Sequence, residues 1–182
     1  VICTYNSKLE KTLSTIRSSM NQEGITSEII ISDDGSKEDN FAKIKEFFSN
    51  NSYSDYKLIK NEFNVGTVKN YLSAVKVAEG KYIYGIGPGD LISDRSCLKD
   101  FFNFCEKNHH KVCFGKAIYY ANNDGDIQII KNRKASPPNP SDYKYPHIYN
   151  RDYYVFSLIY RGGILGTTFF REKEYALEYI SK

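Results

Sequence analysis

The sequence contains no tryptophan, one methionine, and no apolar run approaching the roughly 20 residues that span a bilayer. It also lacks the basic start and short apolar stretch of a secretory leader. Val1 reads as part of a strand, so the expectation is a piece of a longer protein, and the missing membrane segment says little about the parent. Four cysteines occur, Cys3, Cys97, Cys105 and Cys113, without a CxxC pair and without a histidine cluster. That spacing argues against a zinc motif and against a disulfide framework; it fits reduced thiols in a cytoplasmic protein. No block of one charge sign is present either. The 25 basic and 22 acidic residues are interspersed, leaving a net charge of +3 and no concentrated patch for nucleic acid.

What the sequence has in quantity is tyrosine: 16 Tyr beside 11 Phe in 182 residues. Tyrosine joins a stacking face to a hydrogen-bonding tip, which suits bases and sugars, and it also fills half-buried strand positions. The length suits one sizeable domain.

Over the first hundred residues, short apolar runs alternate with amphipathic stretches. Val1 to Tyr5 reads as a strand closed by Asn6-Ser7, and Leu9, Leu13, Ile16 and Met20 follow at helical spacing. Glu28 to Ser32 is a continuous apolar strand ending at Asp33-Asp34-Gly35-Ser36; Phe41, Ile44, Phe47 and Phe48 restore the helical period. Tyr56 to Ile59 is a third strand. Asn64-Val65-Gly66 opens a helix carrying Val68, Leu72, Val75 and Ala78, with Gly80 expected as its C-cap. Lys81 to Ile86 is a fourth strand, broken by Gly87-Pro88-Gly89-Asp90, and a helix is expected near Cys97 to Lys107. Such alternation predicts a mainly parallel sheet covered by helices on both faces. Ligands gather at the carboxyl ends of such strands, near a topological switch point. Three of those ends carry polar groups: Thr4-Tyr5-Asn6, Asp33 to Ser36, and Gly87 to Asp90.

The character changes after residue 110. Val112 to Tyr120 and Ile127 to Lys131 flank Asn122-Asn123-Asp124-Gly125-Asp126, a hairpin signal. Ala135 to Pro146, with Pro137, Pro138, Pro140 and Pro146, reads as a loop. Tyr153 to Tyr160 reads as a helix, Leu165 to Phe170 as a strand, and Glu172 to Ile180 as a last helix.

Asp33 and Asp34 follow their strand directly, and Gly35 frees the backbone for a sharp turn. Carboxylates fixed there can accept hydrogen bonds from a base or ribose; they can equally close a turn. Asp90 follows a glycine-proline-glycine bend that lets a diphosphate approach, and an oxygen ligand there suits Mg2+ or Mn2+. His109-His110 reads as a solvated helix end and Cys3 as a packed thiol. Arg133, Lys134, His147, Arg151 and Arg161 are candidates to meet phosphate.

The pieces Val1 to Asn6, Glu28 to Ser36, Asn61 to Gly66 and Gly80 to Ile83 together resemble family 2 glycosyltransferases with the GT-A fold, in order and spacing from Val1 to about Lys107. The resemblance implies a Rossmann-like α/β domain, a mainly parallel sheet with helices on both faces, its C-terminal part incomplete. Residues 1–110 would be its nucleotide-sugar-binding half and residues 111–182 an acceptor-side half of the same domain, cut short at both ends of the chain. It further implies a UDP- or GDP-sugar donor, a saccharide or lipid-linked acceptor, Mn2+ or Mg2+, and inversion at the anomeric carbon. The setting it suggests is bacterial surface-polysaccharide synthesis in the cytoplasm, with peripheral membrane association of the full-length protein. By the same resemblance Thr4, Tyr5 and Asn6 line the nucleotide pocket, and Asp33 bonds the base with Asp34 beside it. Asn64, Gly66 and Asn70 frame the nucleotide, while Gly89 and Asp90 fall on the metal motif, Asp90 as its last carboxylate.

Two departures stand out. Gly87, Pro88 and Gly89 occupy positions where the family commonly has acidic residues. A single carboxylate can still hold a metal whose other ligands are phosphates and waters, so a free ion should bind poorly and metal binding should depend on the nucleotide. After the Gly162-Gly163 to Arg171 stretch only Glu172, Glu174 and Glu178 follow, so the general base is expected beyond Lys182. A rival reading is a module that binds a nucleotide sugar without turnover. A nucleotidyltransferase would show a glycine-rich, basic loop where Thr4-Tyr5-Asn6-Ser7 stands, and a flavodoxin-like domain leaves the four matched pieces unexplained.

Overall fold

The structure, a computed structural model, describes residues 1–123, 126–131 and 169–180. The chain divides into two compact units, one of Val1–Cys113 with Phe169–Lys182 and the other of Phe114–Thr168.

The first unit is organised by Ile2–Thr4 (β1) and Ile29–Asp33 (β2), which pair in parallel. On its other edge β2 pairs in parallel with Tyr56–Lys60 (β3). An unbroken apolar run makes β2 suitable for burial on both faces, and all five of its residues are buried. Its side chains alternate between two helical layers. Ile29 and Ile31 join Ile16 of Leu9–Met20 (α1), Ile44 and Phe48 of Phe41–Asn50 (α2), and Leu98 of Cys97–Asn108 (α4). Ile30 joins Ala74 and Val75 of Thr67–Val77 (α3) and Ala176 of Lys173–Ile180 (α5). Each fully buried Ile or Phe here contributes roughly 1.5–3 kcal/mol.

Tyr82–Tyr84 (β4) lies on the far side of β1: Ile86 N donates to Val1 O at 2.9 Å, and Ile2 and Ile86 form a parallel bridge. Phe169–Glu172 (β8) pairs antiparallel with β4 and borders Val112–Phe114 (β5). The order therefore runs β3-β2-β1 and then turns back through β4, which puts the switch point between β1 and β4. In the second unit, Tyr120–Asn123 (β6) and Asp126–Ile129 (β7) form the expected hairpin, with Asn123 opposite Asp126.

The helices and strands expected over the first hundred residues are present, with one helix end misread. Gly80 does not cap α3, which stops at Val77 as Ala78 turns extended. Two distant side chains satisfy that end: Lys173 Nζ donates to Ala78 O at 2.6 Å, and the Glu28 carboxylate receives Glu79 N and Gly80 N. Val68, expected on the apolar face, is exposed, and Asn70 is buried in its stead. The proline-rich loop, the helix at Tyr153 to Tyr160 and the Leu165 start of β8 lie outside the described residues. Among the described residues, no helix is long and apolar enough to cross a membrane.

Candidate functional site

Thr4 and Asp33 are register partners at the carboxyl ends of β1 and β2, and Thr4 Oγ1 donates to Asp33 Oδ1 at 2.7 Å. Ser36 adds its hydroxyl to the same oxygen at 2.6 Å and its backbone N–H to Oδ2 at 2.8 Å. A carboxylate offers about four acceptor positions, so one remains open on Oδ2. Two of the three donors are hydroxyls that can swing away. Thr4, Asp33 and Ser36 border a cavity of about 20 Å³, room for about one water molecule. Tyr5 is half exposed just beyond. Asn6, at φ 48°, receives no nucleotide-facing role from its contacts: its N–H donates to Ser36 Oγ and its Oδ1 accepts Lys37 N, which closes the two loops on each other.

Asp34 has equally many donors of a different kind. Asn61 Nδ2 and Val65 N donate to Oδ1 at 3.0 and 2.9 Å, and Gly66 N donates to Oδ2 at 3.0 Å. Two of these are backbone groups at the entry to α3, so Asp34 clamps that loop from a buried position. Asn64 Oδ1 shares the Gly66 N–H, and Gly66 itself sits at φ 89° and ψ 154°, a region open essentially to glycine. Asn70 is buried: it accepts from Ser32 Oγ and Asn61 Nδ2 and donates to Ser32 O, fastening α3 to β2. Gly35 holds φ 71° with the Phe63 backbone 2.7 Å from where a Cβ would stand, so no larger residue fits.

The Gly87–Asp90 turn follows β4 and is closed by Asp90 N donating to Gly87 O at 3.0 Å. Its anchor is a residue that the motifs left aside. Thr15, fully buried on α1, donates toward Gly87 O, Asp90 O and Lys11 O at 3.2, 2.9 and 3.1 Å, and accepts Gly89 N at 2.9 Å. Ser18 and Gln22 continue the stitching: Ser18 Oγ accepts Ile92 N, while Gln22 donates to Asp94 O and accepts Leu98 N. The sequence signal was available in Thr12 and Thr15, polar residues at helical spacing on what proves to be the buried face.

Asp90 is exposed, yet desolvation by its neighbours pushes its carboxyl above the usual aspartate range, against a hydrogen bond from the Gly87 backbone. Asp90 Oδ2 comes within 3.3 Å of where a Gly87 Cβ would stand. Among the described residues no group of three His, Cys, Asp or Glu comes together. Asp90 is the carboxylate of this turn, and a Mn2+ or Mg2+ ion held there would take its remaining ligands from phosphate and water. His109 is the left-handed C-cap of α4, away from any carboxylate cluster, and burial pushes the Cys3 thiol up to about 11. Arg133, Lys134, His147, Arg151 and Arg161 lie outside the described residues. A second cavity, of about 170 Å³, opens at the amino ends of the strands beside Glu28 and Lys81, at the opposite end from these groups.

Polar groups thus converge at the carboxyl ends of β1, β2 and β4, around the switch point. The family model described as "Glycosyl transferase family 2" matches residues 1–170. The chain belongs to glycosyl transferase family 2. Similar solved structures include glycosyl-transfer proteins from two organisms. TarS of S. aureus, residues 1–349, is 30% identical with a TM-score of 0.52, over 61% of this chain and 32% of that one. The same protein in complex with UDP-GlcNAc gives 28% identity and a TM-score of 0.53, over 69% and 34%. The mannosyltransferase PcManGT of Pyrobaculum calidifontis, in complex with GDP-Man and Mn2+, shares the fold at 14% identity and a TM-score of 0.53, over 57% and 30%. The chain spans about a third of the length of these structures. No curated protein matches it. The fold is accordingly the mixed α/β GT-A type with a mainly parallel sheet.

Proposed function

We propose that this chain is the donor-binding part of a sugar transferase that takes a UDP- or GDP-linked sugar and passes it to a saccharide or lipid-linked acceptor. The observation that carries the reading is Asp33, at a strand end beside the switch point, with an acceptor position open and two movable hydroxyls around it. A nucleobase N–H is a natural donor for such a carboxylate. Tyr5 offers an exposed ring face for stacking, and the Gly87–Asp90 turn brings little side-chain bulk to the switch point. TarS in complex with UDP and with UDP-GlcNAc, and the GDP-Man complex of the mannosyltransferase, support a nucleotide-sugar donor without choosing its base.

In the reaction, an acceptor hydroxyl oxygen attacks the anomeric carbon while the bond from that carbon to the diphosphate breaks. The bonding pair leaves with the nucleoside diphosphate, the acceptor proton passes to a general base, and a single displacement inverts the centre. Glu172 is opposite Tyr82, at the amino end of β4, and Glu174 is exposed on α5. We therefore assign the base to none of the described carboxylates. A setting in bacterial surface-polysaccharide synthesis, with the longer protein at the cytoplasmic face of the membrane, belongs to the same proposal.

Asp33→Asn tests it, because the amide keeps the shape and removes an acceptor. The Kd for UDP or GDP, measured by calorimetry, should rise about tenfold, with a loss of about 1–2 kcal/mol in unfolding because the Ser36 N–H then faces an amide donor, and circular dichroism should show a folded chain. Wild-type affinity in this variant would sink the assignment. A module that binds without turnover is the second reading, favoured by the carboxylate-poor Gly87–Asp90 turn; glycosyl transfer by the full-length protein would remove it.

A further inference from the structure

We infer that Thr4 and Ser36 select the base of the donor. By filling one oxygen of Asp33 they leave the carboxylate a single acceptor position, which takes the lone imide N–H of uracil and turns away the paired N–H groups of guanine. The inference rests on the donor-binding reading above, and of the two donors named there it chooses the UDP-linked one.

The count of bonds on the carboxylate decides between the bases. Oδ1 of Asp33 receives two hydroxyl protons, from Thr4 at 2.7 Å and from Ser36 at 2.6 Å, and both of its lone pairs are then engaged. Oδ2 receives the Ser36 backbone N–H at 2.8 Å, so one lone pair is left on that oxygen. Asp33 is 7% exposed, which makes each of these bonds costly to break. Uracil presents one N–H between two carbonyls, and a single free lone pair satisfies it. Guanine presents N1–H and N2–H side by side, a fork that a carboxylate meets with both oxygens. Here the second N–H would face Oδ1, where two protons already stand. Pairing it requires one hydroxyl to turn away and forfeit a charge-assisted bond.

Both hydroxyls are held where they are. Ser36 Oγ accepts the Asn6 N–H at 2.7 Å, which leaves its own proton directed at Asp33. Asn6 Oδ1 accepts Lys37 N at 3.1 Å, so the loops after the first two strands are tied together on either side of that serine. Thr4 is buried and is the register partner of Asp33 on the adjoining strand, so its hydroxyl meets Oδ1 from a fixed backbone. The selection works by exclusion: the two side chains occupy an acceptor that only the wrong base would need.

Calorimetric titration of UDP and of GDP, each in MnCl2, into the wild-type chain and two variants tests the inference. The wild type should bind UDP at least about tenfold more tightly than GDP. Ser36→Ala frees a position on Oδ1, and the preference should shrink to within about threefold, mainly through tighter GDP binding. Thr4→Val keeps the side-chain shape and leaves the bonds of Ser36 in place. It should shrink the preference likewise, and it carries the test if Ser36→Ala disturbs the loop. GDP bound as tightly as UDP by the wild type, or a wild-type preference for UDP kept by both variants, overturns the inference and leaves the donor-binding reading standing. If a wild-type chain with native circular dichroism binds neither nucleotide, both fall.

Discussion

The two turns on either side of the β1 strand end are built on opposite plans. The turn from Asp33 to Ser36 is held by its own side chains: Asp33 gathers Thr4 and Ser36, and Asp34 gathers Asn61, Val65 and Gly66. The turn from Gly87 to Asp90 has almost no side chains and takes its shape from Thr15, 72 residues earlier. One turn invests its carboxylates in structure and leaves a single acceptor position on Asp33 unused by the bonds described. The other has almost no side chains of its own and borrows its anchor. A carboxylate in a conspicuous motif is therefore not by itself a ligand-binding group; who already donates to it decides.

That contrast can be broken at Asp34 first, where the largest effect is expected. Asp34→Ala strips a buried carboxylate from Asn61 Nδ2 and from two backbone N–H groups. Val65 N is then left without an acceptor, while Gly66 N keeps Asn64 Oδ1 and Asn61 Nδ2 keeps Asn70 Oδ1, so the loss should be roughly 2–4 kcal/mol in urea unfolding. A loss under about 1 kcal/mol would mean that water reaches them, and that Asp34 is as open to ligand as Asp33. The second turn should yield less. Thr15→Val keeps the shape of the side chain and removes the hydroxyl that joins three carbonyls and Gly89 N. Gly89 N retains Lys11 O, so the expected loss is about 1–3 kcal/mol by the same measurement, with Thr15→Ser recovering most of it. Equal stability in Thr15→Val and wild type would show that the turn holds itself.

The same contrast explains what could be read from the sequence. The layered fold was legible because β2 is an unbroken apolar run and α1 and α2 carry apolar residues at helical spacing. The Asp33 turn was legible because its partners are neighbours in the chain or in matched pieces. The division of labour between Asp33 and Asp34 was not, since adjacent residues of one type differ only in the donors that the fold delivers. Thr15 was missed because its meaning depends on a turn that reaches it only after β4 has been placed beside β1. The end of α3 was misread for a related reason: Gly80 looks like a local cap, but Lys173 and Glu28 do the capping from far away in sequence.

Glu28 supplies the smallest and most controlled test, because it acts at the amino end of β2, away from both turns. Burial alone would raise its pKa, but the Lys57 ammonium and the N–H groups of Glu79 and Gly80 outweigh that and hold it below its ordinary 4.5. A carboxylate whose folded pKa is depressed contributes stability above its unfolded value, and loses it as pH falls through the folded value. Glu28→Gln should therefore cost about 1–2 kcal/mol in urea unfolding at pH 7, and the gap to wild type should close below about pH 4. Nucleotide affinity should not change at pH 7, since Lys57 and the α3 end lie at the opposite end of the sheet from Asp33. If Glu28→Gln weakened nucleotide binding as much as Asp33→Asn, the strand-end location of the site would be wrong. A stability gap that persisted unchanged to pH 3 would instead show that packing, rather than the charge, makes Glu28 matter.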